Sequence, residues 1–523
     1  MGRPDRPPRS RSPREVRAEP SPDSDTDASA PSARAAAGVS VRWSFAAVLG
    51  RQIPQFAAAL VLARILGPEN YGVISAATVY VTLTTLVLDQ GLAAALVQRP
   101  TLERTLPGAV ATVNLASAAL LAGLTWLLAP AVAAFFTAPE LTPLLRVLGI
   151  GLLLKGLAVT PRAMLQRDLA FRPIGVADIG GGVLGAAAGI TAAVLGAGIW
   201  SMAVQVLVTD LVIAAGLLAA SRGTAPNARL RELRGILPFS LRIFASNGLA
   251  YFSRNADNIL IGRFLGVASL SLYAMAYRVL VIPVQMIGQT VNRSTFPLFS
   301  RLTDQPDRLA RALLTTLELL AFAAVPAMAL VSVAAPELVQ LVLGPEWRAT
   351  VPVLTVLALA GARETVCSVV GSTMRAKGAG RLIFRYEWLA TGTQLAGIVI
   401  GLQFGILGVA VGLTVAGFAL MPVLLIIQRR LTGVSVRSQL GRVLPPAHAA
   451  GWGALAYLAV RLLSDSPLVI ILAGGFGYAL VVMLVLWLAH RRALVRVLQT
   501  GREILTPARR ASGTGPVPSS PAS

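Results

Sequence analysis

Apolar positions dominate the chain in fourteen long blocks: 43–65, 70–92, 106–128, 142–163, 173–195, 198–220, 236–262, 267–290, 309–334, 349–371, 382–404, 406–428, 443–463 and 466–489. Each is near the ~20 residues a helix needs to cross bilayer hydrocarbon. Within a block the apolar residues are continuous rather than alternating, and the blocks are about twice as long as a barrel strand, so the pattern predicts helices and not membrane strands. Pro54, Pro238, Pro283, Pro326, Pro352 and Pro422 fall inside blocks. Membrane helices tolerate such kinks where neighbours or water satisfy the freed carbonyls. Gly181-xxx-Gly185-xxx-Gly189 and Gly408-xxx-Gly412 form small-residue ridges that let two helices approach closely. The predicted fold class is all-α: a polytopic membrane protein of about fourteen transmembrane helices.

Composition agrees. Of 523 residues, 55% are apolar and 13% charged, against about 25% charged in soluble proteins. An ordinary soluble enzyme is excluded, and so is a disordered chain. Only the ends are polar. Residues 1–42 are rich in Pro, Ser, Arg and Asp and read as a disordered cytoplasmic tail without a secretory signal; 490–523 read as a second cytoplasmic tail. Asp23-Ser24-Asp25 matches the carboxylate spacing of many glycosyltransferases, but it sits in a solvated acidic patch with no fold around it.

The net charge is +22, carried by 44 Arg and 2 Lys against 24 acids. With the N-terminus placed inside, alternate loops hold 35 basic residues on the inner side and 4 on the outer, Arg64, Arg263, Arg348 and Arg461. This asymmetry predicts both termini in the cytoplasm and a place in the cytoplasmic membrane. Anionic lipid headgroups, not nucleic acid, are the expected neighbours of the basic loops. A lone Cys367 excludes internal disulfides, and His448 and His490 are too few for a His-cluster metal site. The chain lacks a Gly-x-x-x-x-Gly-Lys-Ser/Thr loop, so neither direct ATP use nor another cofactor is expected.

A repeat is legible. Arg64-Ile-Leu-Gly67 and Arg263-Phe-Leu-Gly266 lie 199 residues apart, and Ala138-Pro-Glu-Leu141 and Ala335-Pro-Glu-Leu338 lie 197 apart. Six helices per repeat is an even number, so the copies run in the same direction and are related by an axis along the membrane normal. The predicted organisation is a six-helix lobe over 43–220, a second over 236–428, and an appended helix pair over 443–489.

The motifs resemble a known family. Arg64-Ile-Leu-Gly-Pro-Glu-Asn-Tyr-Gly72, Asp89-Gln-Gly-Leu92, Ala95-Leu-Val-Gln-Arg99, Asp257-Asn-Ile-Leu-Ile-Gly262, Leu272-Tyr273, Phe296-Pro297 and Gly344-Pro-Glu-Trp347 follow one another in the order seen in the polysaccharide flippases. These are the lipopolysaccharide and capsule branch of the multidrug/oligosaccharidyl-lipid/polysaccharide exporter superfamily. The resemblance implies two lobes around a cavity of alternating access. It also implies a polyprenyl-diphosphate-linked glycan as cargo, with a polysaccharide polymerase and glycosyltransferases as partners.

A diphosphate crossing hydrocarbon about 30 Å thick calls for a wet cavity lined by cations. Arg suits it because its planar fork pairs with phosphate oxygens while staying ionised. The intramembrane candidates for substrate binding are Arg51, Arg254, Arg278 and Arg363. Arg254 stands three residues from Asp257, so an ion pair is its alternative; Arg51 could instead snorkel to the inner surface. Lys155 and Arg146 read as structural partners of Asp210. The intramembrane carboxylates Asp210, Asp257, Glu318 and Glu364 are candidates for ion coupling or charge balancing. A drug or cation exporter of the same superfamily is the alternative function, and a membrane glycosyltransferase or polymerase a more remote one.

Overall fold

The computed structural model describes residues 30–88, 92–99, 102–221, 224–229, 251–252 and 255–505, with side chains from 54 onward except 281–294 and 503–505. Among these residues the chain is helical, without strands. The helices are α1 (Ala30–Leu88), α2 (Leu92–Gln98), α3 (Leu106–Phe135), α4 (Leu141–Arg167), α5 (Phe171–Val194), α6 (Trp200–Ala220) and α7 (255–264). They continue with α8 (Val267–Arg301), α9 (Pro306–Val333), α10 (Ala335–Val342), α11 (Thr350–Ala376), α12 (Gly380–Leu402), α13 (Gly405–Thr432), α14 (Val436–Arg461), α15 (Pro467–Ala489) and α16 (Arg491–Leu505). Nine helices among the described residues are long and apolar enough to cross a membrane. The expected seventh span, 236–262, lies largely outside the described residues.

Helices generally outrun the apolar blocks: α3 continues to Phe135, α8 to Arg301 and α13 to Thr432. A hydropathy block measures the hydrocarbon layer, whereas backbone hydrogen bonding continues into the headgroup layer, where Arg side chains are welcome. Two differences concern the expected tails. Helix α1 begins at Ala30, inside the stretch read as a disordered tail, where Ala35-Ala36-Ala37 favours helix. At the other end, Arg491–Leu505 is a helix rather than tail. Its apolar positions Ala493, Leu494, Val497 and Leu498 recur at helical spacing, too short a pattern to register as a span.

The repeat has a conformational counterpart. Gly67 breaks α1 at φ 70° and ψ 173°, and Gly266 separates α7 from α8 at φ 86° and ψ 167°. Both torsions favour glycine because a Cβ would clash. The second tetrapeptide pair is less alike: Thr137 before α4 has φ 53°, while Ala334 before α10 has φ −86°.

In the first half α5 packs on α6 and α1, and α3 on α4; in the second, α11 packs on α8 and α9, and α12 on α13. Helices α14 and α15 close against each other and on α9. The small-residue ridges serve these contacts. A Cβ on Gly412 would lie 2.1 Å from the Gly397 carbonyl oxygen of α12, a distance only two glycines permit. The halves meet where α1 crosses α8: a Cβ on Gly72 would fall 2.3 Å from the Val267 carbonyl oxygen. One buried core joins them there, with Leu62 and Tyr71 from the first half beside Tyr273 and Trp347 from the second. Outward, large apolar side chains such as Trp126, Phe384, Trp388, Phe476 and Trp487 are exposed, an arrangement suited to lipid.

Candidate functional site

Between the halves lies a cavity of about 570 Å³. Helix α1 lines it with Gln55, Phe56, Ser75 and Thr78, α4 with Lys155, α6 with Gln205 and Asp210, α7 with Asn255 and Asn258, and α8 with Tyr277 and Arg278. Amides and hydroxyls on apolar helices thus converge on one space.

Arg278 is a half-buried cation on its wall. Its Nη1 donates to the Tyr71 hydroxyl at 2.6 Å. Among the described residues no carboxylate stands within ion-pair distance of it. Lys155 differs: its Nζ is 3.6 Å from Asp210 Oδ2 and donates to Thr85 Oγ1 at 3.3 Å. The Lys155–Asp210 pair expected from sequence therefore forms, and its charges offset each other. Arg146 does not join it. Its guanidinium instead lies over the Trp126 ring at 4.6 Å, where cation and π face attract.

The other expected cations are dispersed. Arg363 on α11 donates to the Gly417 carbonyl of α13 at 2.9 Å, away from the cavity lining. Arg51 belongs to α1, but its side chain is outside the described set, as is Arg254 altogether.

Among the acids, Asp210 alone lines the cavity. Asp257 is buried and accepts from the Tyr273 hydroxyl at 2.9 Å and from the Asn258 amide at 2.8 Å. Glu318 on α9 is gripped by Arg442 of α14 at 2.5 Å and Arg496 of α16 at 2.7 Å. Glu364 is exposed on α11.

The cavity ends at a seal around Gly67. Trp347, fully buried in the 3-10 turn Pro345–Trp347, donates from Nε1 to the Ala63 carbonyl at 3.2 Å. Its ring meets Tyr71 edge-on, centroids 5.8 Å apart at 76°. Arg64 donates to the carbonyl of Leu341 and, at 3.3 Å, to that of Val342. Sequence reasoning named no aromatic here, although Tyr71 and Trp347 both stand in the motifs that carried the resemblance. Their shared contact is long-range and left no local signal. Gln205, Asn255 and Asn258 were missed for the same reason: a lone amide in a helix announces nothing until helices converge.

Two further polar clusters lie elsewhere. His448 Nδ1 and His490 Nε2 are 3.1 Å apart, and the Trp452 indole donates to His448 Nε2 at 3.1 Å. Arg162 pairs with Asp178 through both nitrogens, at 3.1 and 2.5 Å. Among the described residues no three His, Cys, Asp or Glu cluster with metal-binding spacing.

A helical membrane protein with two halves around a cavity that carries polar and charged side chains has the architecture of a membrane transporter. Residues 61–352 match the polysaccharide biosynthesis protein family, and the chain belongs to it. It is 26% identical over 67% of its length to 72% of the lipopolysaccharide biosynthesis protein WzxC of Escherichia coli (strain K12). It is 30% identical over 66% of its length to 70% of the succinoglycan biosynthesis transport protein ExoT of Rhizobium meliloti (strain 1021). In fold it is similar to the inward closed lipid II flippase MurJ, with a TM-score of 0.67 and 14% identity over 89% of this chain and 100% of that one. An inward-facing multidrug resistance MATE transporter of the MOP superfamily gives 0.54 and 17%, over 74% and 98%. The fold class and the resemblance read from the motifs are borne out.

Proposed function

We propose that this protein is a flippase that carries a polyprenyl-diphosphate-linked oligosaccharide from the inner to the outer leaflet of the cytoplasmic membrane. The observation that carries the reading is Arg278, a cation without a carboxylate partner among the described residues, in a cavity whose apolar wall also carries amides, hydroxyls and the Lys155–Asp210 pair. A guanidinium fork suits the diphosphate, and Gln55, Gln205, Asn255 and Asn258 suit sugar hydroxyls. Arg51 and Arg254 are proposed to extend the cationic path. Arg363 is placed to brace α11 on α13, and Asp210 and Glu318 to balance charge. The basic-loop asymmetry supports a topology with both termini in the cytoplasm and the Gly67 seal on the outer side. A drug or cation exporter would gain nothing from a cavity cation of this kind. Glycosyltransferases supply the cargo and a polymerase consumes it.

The test is export of the lipid-linked saccharide. Deleting the gene should accumulate it on the inner leaflet. Arg278→Ala should weaken headgroup binding about tenfold to a hundredfold, the worth of one charge-assisted hydrogen bond. Arg278→Lys should restore part, since it keeps the charge and loses the fork. Wild-type export by Arg278→Ala at normal protein level would refute the cationic cavity. Reporter fusions at Gly67, Thr137 and Gly266 should read outside, and those at Arg167, Asn227 and Gln305 inside.

A further inference from the structure

From the cavity wall to the sealed end runs a chain of three contacts, each crossing between the halves. Arg278 of α8 donates to the Tyr71 hydroxyl of α1 at 2.6 Å. The Tyr71 ring packs edge-on against Trp347 at 5.8 Å. Trp347 donates to the Ala63 carbonyl of α1 at 3.2 Å. Ala63 and Tyr71 flank the Gly67 break, so the chain grips α1 on both sides of the point where it bends. Trp347 is fully buried and has no water as a replacement partner; Tyr71 borders the cavity but is only 4% exposed, so water reaches it poorly.

Of the three, the first contact is the one open to a ligand, because Arg278 and Tyr71 both line the cavity whereas Trp347 and Ala63 do not. Its acceptor is a neutral phenol. An anionic oxygen pairs with a guanidinium roughly twice as strongly, and in two-pronged geometry when it belongs to a phosphate. A phosphate in the cavity therefore outcompetes Tyr71 for Arg278. The buried phenol is then left short of a partner, which disfavours the packing it holds with Trp347.

We propose that the Arg278–Tyr71 hydrogen bond is a latch: it keeps the Gly67 end shut while the cavity is empty, and a phosphate group that engages Arg278 releases it. Arg278 touches the cargo; Tyr71 and Trp347 are positioning residues that transmit its occupancy. The identity of the releasing group rests on the proposed function, whereas the latch rests on the geometry. The arrangement explains why a transporter would bind its cargo with the side chain that fastens its outer seal: opening then waits for loading. A ligand shifts such an equilibrium only by its differential affinity for the two states, and exchange of one acceptor for another at Arg278 supplies that difference.

The experiment uses full-length protein with Cys367→Ser and a reporter, Thr78→Cys, on the cavity wall. A membrane-impermeant maleimide is applied from the Gly67 side, with and without a sugar-free polyprenyl diphosphate. Wild-type latch residues should give slow labelling, accelerated by the lipid. Tyr71→Phe, which removes one oxygen and keeps the ring, should label about tenfold faster without lipid, and the lipid should add little. Arg278→Ala should behave likewise, and the double variant no more so than either single one. Arg278→Lys, which still donates to Tyr71, should stay near wild type. Trp347→Phe, lacking the indole N–H, should also label faster. A merely structural Tyr71 would leave the response to lipid intact. Unchanged slow labelling in both Tyr71→Phe and Trp347→Phe overturns the latch. Fast labelling in those variants with no lipid response in the wild type keeps the latch and removes the diphosphate reading.

Discussion

Replacing Glu318 by Gln removes a carboxylate that ties α9 to both α14 and α16. The Glu318 side chain is 5% exposed and receives Arg442 at 2.5 Å and Arg496 at 2.7 Å, whose side chains are 26% and 46% exposed. Taking one partner from a fully buried pair costs about 3–5 kcal/mol, because the remaining charge is stranded. Here both cations reach toward water and can snorkel further, so the cost falls to about 2–3 kcal/mol. Arg496→Gln should cost about 1 kcal/mol or less, since Arg442 still neutralises the acid and Arg496 is the more solvated partner. The assay is thermal unfolding of the purified protein, with limited proteolysis at the α15–α16 junction. Glu318→Gln should lower the midpoint and expose that junction; Arg496→Gln should expose the junction and barely move the midpoint. Adding Arg496→Gln to Glu318→Gln should recover part of the loss, because one stranded cation is gone. Unchanged stability in Glu318→Gln together with lost export would refute charge balancing and make Glu318 a proton carrier.

Two further outcomes follow from the packing and the histidines. Gly72→Ala places a Cβ 2.3 Å from the Val267 carbonyl oxygen, a backbone atom that cannot rotate away, so the halves must part. That should cost about 1–3 kcal/mol of the sealed state, read as faster maleimide labelling of the cavity from the Gly67 side, and labelling equal to wild type would refute the close approach. Beyond the end of α15, partial burial and then the neighbouring His448 hold the His490 pKa below its usual 6.5. The folded state thus binds its proton less readily than the unfolded chain, so this contribution is complete above pH 6.5 and is lost as pH falls through the lowered folded value. His490→Gln should flatten the thermal-midpoint profile in that range, and an unaltered acid-side slope would refute the assignment.

Much of this molecule follows from its sequence alone, for a physical reason. In hydrocarbon every backbone group must be satisfied within its own segment, so a continuous apolar run of some twenty residues has only the helix open to it. Hence the blocks at 173–195, 198–220 and 382–404 become α5, α6 and α12 with small shifts at their ends. The Gly67 and Gly266 repeat was equally legible, because a helix break at a positive φ selects glycine locally. The motifs around Gly67 and Gly344 carried the family. Lys155 and Asp210 were paired correctly because two opposite charges at matching depth in apolar helices have few other partners.

What the sequence left open was which side of each helix faces which neighbour. Arg278 and Arg363 look alike as lone cations near mid-membrane, yet one lines the cavity and the other seats against Gly417. Arg146 looked like a partner for Asp210 and found the Trp126 ring. Glu318 was a candidate for either ion coupling or charge balancing, and it is shared by two arginines more than a hundred residues away. Tyr71 and Trp347, 276 residues apart by numbering, became one seal. Helix periodicity sets depth and direction along the chain, but it does not set rotation about the axis when nearly every face is apolar. Only the packing of one helix on another, here through Gly72, Gly397 and Gly412, chooses that rotation and with it the residues that share the cavity.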